Sequence, residues 1–206
     1  MKTSITTLTL LATILTSAQA AVPPMGGEMK HIMVHLHGSA LEGHVDHSIP
    51  TPVLTSYGET YTGNASVLNG TLFNAQYGWM AEGFWTPPAG STLWLEQVSA
   101  TPGLRVYEGG MMSMAGMHTF APIFGTDASS PRIAWDGMML HNWYAADTAG
   151  SYSATYRIYF GDDNGVAIDG YEADEVTLEW TAVPAPASLG LASLGALTFA
   201  RRRRDR

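Results

Sequence analysis

No stretch of 12 residues in this chain carries a clean helical period, whereas apolar and polar residues alternate with a period of two in several short segments. Lys30–His37, Thr92–Val98, Leu104–Tyr107, Tyr152–Phe160 and Glu175–Thr181 read as strands. Gly63-Asn64, Asn69-Gly70, Pro87-Pro88, Pro102-Gly103, Gly109-Gly110 and Asp162-Asp163-Asn164-Gly165 punctuate them, all residue pairs or runs that end regular structure. The last of these is a fragment of a calcium-loop pattern without its spacing or terminal glutamate, so a hairpin turn is expected there. The 22 glycines and 11 prolines against 14% charged residues agree with a turn-rich β protein and exclude a helical bundle or a disordered acidic chain. The expected fold is all-β: a single antiparallel β-sandwich-like domain over residues 21–181.

Both ends read as processing segments. Residues 1–20 combine Lys2, an apolar stretch through Leu8–Leu15 and the small residues of Ala18-Gln19-Ala20, the pattern that a signal peptidase cuts before Ala21. Residues 182–206 hold Val183-Pro184-Ala185-Pro186, an apolar run from Ala187 to Ala200, and Arg201-Arg202-Arg203-Arg204. That run of 14 residues is short for a membrane span, which takes about 20. The arginine block behind it holds that end on the cytoplasmic side and argues for a transmembrane segment. This C-terminus resembles the PEP-CTERM sorting signal of bacterial exported proteins, with Ala185 where that signal usually carries Glu. The resemblance implies export, processing by an exosortase as well as signal peptidase, attachment to the membrane, and residence at the cell envelope or surface.

Between Ala21 and Thr181 only Lys30, Arg105, Arg132 and Arg157 are basic against 17 acidic residues, a net charge of about −13. Such a domain repels nucleic acid and favours cations. No cysteine is present, which excludes disulfides, thiolate metal sites and a cysteine nucleophile. The aromatic residues Phe73, Tyr77, Trp79, Phe84, Trp85, Trp94, Trp135, Trp143 and Tyr144 are expected as core, with sugar stacking as the alternative.

Five of the seven histidines fall between His31 and His47. On a strand over Lys30–His37, the side chains of His31, Met33, His35 and His37 share one face, and Ile32, Val34 and Leu36 share the other. Gly38 and Gly43 bracket a turn, after which His44 and Asp46 return on a common face. Imidazoles converging across such a hairpin, with a carboxylate in the fourth position, suit zinc. The expected metal ligands are His35, His37, His44 and Asp46, with His31 and His47 as alternates and His118 and His141 arriving from other strands. The methionines of Met111-Met112-Ser113-Met114-Ala115-Gly116-Met117 and Met138-Met139 keep copper open as a second ion, because thioethers are soft ligands. They are equally ordinary gap-fillers.

Across residues 29–180 the chain is similar to a small family of PEP-CTERM proteins repressed by the zinc uptake regulator. The similarity rests on the histidine-rich hairpin, Phe73-Asn74-Ala75-Gln76-Tyr77-Gly78-Trp79, Ala121-Pro122-Ile123-Phe124-Gly125-Thr126-Asp127, Trp135-Asp136-Gly137-Met138-Met139-Leu140-His141-Asn142-Trp143-Tyr144 and Tyr152-Ser153-Ala154-Thr155-Tyr156. It implies a part in zinc capture or homeostasis. Two rival functions stand beside it: a structural or glycan-binding surface protein associated with exopolysaccharide, and a metal-dependent enzyme. The chain has no His-Glu-x-x-His, Gly-x-Ser-x-Gly or Walker-type glycine loop, so no catalytic role is assigned. Mass spectrometry of the native protein should find Ala21 at the N-terminus, and deleting Arg201–Arg204 should disturb membrane retention. An intact Met1, or retention indifferent to the deletion, would count against processing at these ends.

Overall fold

Twelve strands form two sheets in the computed structural model, which describes residues 21–83 and 85–184. The signal segment expected at residues 1–20, the sorting segment expected at 182–206 beyond its first three residues, and Phe84 lie outside the described residues. The strands are β1 (Lys30–His37), β2 (Ala40–Val45), β3 (Val53–Leu54), β4 (Leu72–Asn74), β5 (Tyr77–Ala81) and β6 (Thr92–Ala100), then β7 (Arg105–Gly110), β8 (Pro122–Ile123), β9 (Arg132–Trp135), β10 (Leu140–Ala146), β11 (Gly150–Gly161) and β12 (Asp174–Ala182). Among the described residues, helical turns are confined to short 3-10 segments at Gly63–Leu68, Met112–Met117 and Thr126–Ala128. No helix among the described residues is long and apolar enough to cross a membrane.

The first sheet runs β2-β1-β5-β10-β7-β8, with β4 also paired to β10; the second runs β3-β12-β11-β6-β9. All five strands expected from alternation are present: β1 has the expected bounds, β6, β11 and β12 extend one or two residues beyond theirs, and β7 starts one residue later and runs three further. Two pairings depart from a purely antiparallel sandwich: β1 with β5 and β12 with β3 are parallel. A parallel neighbour needs a long crossover, and residues 38–76, which include β2, β3 and β4, supply one between β1 and β5. Short strands β3 and β4 carry too few residues to show a period in the sequence.

The inward faces of the two sheets bury Ile32, Val34, Trp79 and Tyr144 against Leu95, Tyr156, Ile158, Leu178 and Trp180. Tyr144 and Trp180 lie 4.5 Å apart between ring centres, and Trp79 and Tyr156 meet edge to face at 5.5 Å. Phe73, Tyr77, Trp79, Trp135, Trp143 and Tyr144 are all buried, as a core reading of the aromatics expects, while Trp85 and Trp94 are half-buried. Asp162-Asp163-Asn164-Gly165 is a tight turn, closed by the Gly165 N–H on the Asp162 carbonyl.

A second, smaller cluster lies on the outer side of the first sheet. Trp143, Ala145, Phe73 and Tyr107 bury that face of β10, β4 and β7 beneath Tyr61, Leu68, Ala115 and Phe120. This cap covers β10 and β7 and leaves the outer face of β1 and β2 partly open. Packing under it is close. A Cβ on Gly109 would fall 1.7 Å from the His141 carbonyl oxygen, a backbone atom that cannot swing away. Gly38 in the β1–β2 turn has open space around it and a φ of +64°. Gly109→Ala should therefore lower the unfolding free energy by more than about 3 kcal/mol, and Gly38→Ala by only about 1–2 kcal/mol. Urea denaturation of the two variants measures the ranking.

Candidate functional site

Strand β1 shows the expected alternation, with Ile32 and Val34 fully buried and His31, Met33 and His35 half-buried on the outer face. The turn that follows is tighter than Gly38 and Gly43 suggest. It contains only Gly38 and Ser39, and Gly43 lies inside β2, where a Cβ would meet Val176 and Ile158 at 2.6 and 2.7 Å. The tight turn sets the register His37↔Ala40, His35↔Glu42 and Met33↔His44. His37 and His44 are thus four positions apart along the hairpin, about 13 Å at the usual strand rise. His35, His37, His44 and Asp46 are not brought together. Asp46 instead turns its carboxylate to Ser48, accepting from the backbone N–H at 2.8 Å and the hydroxyl at 2.6 Å. His44 and His47 approach each other edge to face, 6.2 Å between ring centres, on the exposed end of the hairpin.

A different group gathers at the other end. His35 and His37 lie 5.7 Å apart between ring centres. His35 Nε2 is 2.8 Å from Glu82 Oε2, and His37 Nδ1 is 3.1 Å from Glu42 Oε2. Glu42 stands opposite His35 across the hairpin, and Glu82 follows β5, the parallel neighbour of β1. Hairpin register could have found Glu42 once the turn length was known. Glu82 has no signal in the sequence, because only the β1–β5 pairing brings it there. As the side chains stand, no three His, Asp or Glu groups among the described residues converge on one ion position.

His118 and His141 are buried and belong to neither end. His118 does not join the hairpin ligands, for it follows the Met112–Met117 segment beside the cap, whereas His141 on β10 stands across Gly78 from His31 and away from His35, His37 and His44. The Trp143 indole N–H donates to His118 Nδ1 at 2.9 Å, so His118 carries its proton on Nε2 and donates it to the Met111 carbonyl at 3.1 Å. Both nitrogens are used. His141 donates its Nδ1 proton to the Ala75 carbonyl at 2.9 Å, leaving Nε2 as a bare lone pair that is buried and has no partner. The Ala75 carbonyl is held in place by a buried corner in which Asn74 and Gln76 bond each other through side chain and backbone, while the Ala75 N–H donates to Met25. Burial depresses the pKa of His118 and of His141 below the ordinary imidazole value, and for His141 the neighbouring His31 and His118 depress it further.

The methionine-rich insert presents no concentrated thioether site. Met111, Met114 and Met117 are exposed, and Met112 packs into the cap cluster. Of the large apolar side chains that remain exposed among the described residues, Tyr171 is the aromatic one, so the rings that would stack on sugars lie mostly inside.

A PEP-CTERM protein-sorting motif matches residues 182–204, beginning on the last residue of β12. It implies an exported protein that is processed by an exosortase and anchored at the cell envelope or surface. No curated protein matches the chain.

The two buried histidines set a pH dependence. Their imidazoles resist protonation in the folded chain, so as pH falls through about 6.5 the unfolded chain takes up protons first. Stability should be full above that pH and decline below it, until pH passes the lowered folded values. Urea midpoints between pH 8 and 5 should show the decline, and His118→Gln should make the slope shallower whatever it does to the midpoint itself.

Proposed function

We propose that this exported envelope protein captures a divalent transition metal, zinc foremost, on the open half of its first sheet. The observation that carries the reading is the neighbourhood of His35, His37, Glu42 and Glu82, two imidazoles and two carboxylates on one outer face. Zinc takes imidazole and carboxylate at about 2.0–2.2 Å, so two ligands across a tetrahedral ion lie roughly 3.3 Å apart. Each imidazole already stands 2.8 or 3.1 Å from one carboxylate, and placing both pairs on one ion takes rotation of side chains that solvent reaches, from ring centres 5.7 Å apart. The acidic excess of the domain supports the reading, because it concentrates cations near the surface. The similarity to proteins repressed by the zinc uptake regulator supports zinc over other ions. Capture, with no reaction, is the proposed role.

The glycan-binding alternative receives less support, since stacking needs ring faces in solvent and most of the aromatic residues form core. An association with exopolysaccharide would then be one of location at the envelope, without recognition by this domain.

Zinc titrated calorimetrically into untagged protein at pH 7.5 should bind, and His35→Ala/His37→Ala should weaken binding at least tenfold. Affinity should fall toward pH 5.5, since ligands must shed protons first. Zinc at 100 times its dissociation constant should stabilise the fold by about 2.7 kcal/mol, read as a rise in melting temperature. Zinc affinity unchanged in the double variant would refute this site.

A further inference from the structure

A second row of residues crosses the same face two side-chain steps nearer the cap, with Met33 and Met80 between. His31 on β1, Gly78 on β5, His141 on β10 and Gly110 on β7 are register partners in turn. Gly78 has no side chain, and the His141 imidazole fills the space one would take: its Cε1 and Nε2 lie 2.6 and 2.7 Å from the position of a Cβ there. The ring therefore leans across β5 toward β1, where His31 stands on the far side of Gly78. His31 Nε2 is also shut off from solvent and has no hydrogen-bond partner. Two buried, unpartnered imidazole nitrogens thus flank one glycine, and with the His31 proton on Nδ1 both present a lone pair.

Unpartnered polar atoms in such a place call for a ligand. A water or a proton donor would satisfy one nitrogen, but a cation satisfies two lone pairs at once. His141 is already oriented as metal-bound histidines are, with its other N–H on a backbone carbonyl. The next residues along the same two strands, Met33 and Met80, are register partners on the same outer face, about 7 Å further on. Their flexible thioethers are long enough to reach back. His118 cannot contribute, because Trp143 and Met111 occupy both its nitrogens.

We infer that His31 and His141, bridged over Gly78 and supplemented by the thioethers of Met33 and Met80, form a site for a soft monovalent cation of the copper(I) class. All four donors are neutral. A buried monovalent ion among neutral donors costs less to desolvate than a dication, and thioether with imidazole is a soft set. The site is separate from the carboxylate-bearing one at His35 and His37, and neither depends on the other.

The test is competition for copper(I) under reducing, anaerobic conditions, using the chromophoric complex of copper(I) with bicinchoninate as the probe and the untagged full chain as competitor. The parent should withdraw one copper(I) per chain. His31→Ala, on a half-buried position that should tolerate it, should weaken retention at least tenfold, and Met33→Leu/Met80→Leu should weaken it by a smaller factor. His35→Ala/His37→Ala should retain copper(I) as the parent does while losing zinc, which separates this site from the zinc reading. X-ray absorption of the copper-loaded protein should show sulfur as well as nitrogen neighbours. Copper(I) held equally well by His31→Ala, or a copper spectrum without sulfur, would overturn the assignment, whichever way the zinc titration falls.

Discussion

Strand β10 is buried on both of its faces, and the accessible surface of the molecule follows from that. Tyr144 and Ala146 face the other sheet, while His141, Trp143 and Ala145 face outward, where the cap covers the last two. Burying an aromatic side chain is worth roughly 1.5–3 kcal/mol, so Trp143 on the outer side could not be left to solvent without loss. The segments around Tyr61, Ala115 and Phe120 meet that need, with Phe120 stacked on Trp143 at 5.2 Å. The cap extends no further than these apolar side chains. Beyond them β1 and β2 carry four histidines and Glu42, which need no cover.

Tension between burial and polarity is greatest at the boundary of the cap. A buried polar group left without a partner costs about 1–3 kcal/mol, and the row through Gly78 holds two imidazole nitrogens in that state. The surrounding structure enforces the arrangement instead of relieving it. The Asn74–Gln76 corner fixes the carbonyl that orients His141, and the missing side chain of Gly78 makes room for its ring. By contrast, His118 lies a short distance away in an equally buried setting, yet is fully satisfied by Trp143 and Met111. The same residue type is fully satisfied in one place and leaves a buried, unpartnered nitrogen in the other.

Much of the fold was legible because a half-buried strand leaves a direct mark. Ile32 and Val34 alternate with His31, Met33 and His35 in the sequence and do so in space. The turn between β1 and β2 was less legible, since Gly38 and Gly43 read as bracketing one long turn, whereas Gly38 and Ser39 alone close the hairpin. That difference moves the register by four positions and exchanges the partners of every histidine. It replaces His44 and Asp46 with Glu42 beside His35 and His37. The copper reading shifted similarly: the methionines clustered in sequence at Met111–Met117 spread over the surface and the cap, whereas Met33 and Met80, far apart in sequence, are register partners on one face.

Local periodicity, turn chemistry and the end segments are properties of neighbours in the chain, so the sequence alone determined the all-β class, the inward face of β1, the acidic charge and the sorting motif at residues 182–204. Which side chains share a site depends on which strands lie side by side, and that is settled by long-range burial. The parallel insertion of β5 beside β1 places Glu82 against His35, and puts Gly78 between His31 and His141. No residue near His31 encodes that neighbour, because it is selected by burial across the sandwich, to which Trp79 of β5 packed on Tyr156 of the opposite sheet contributes.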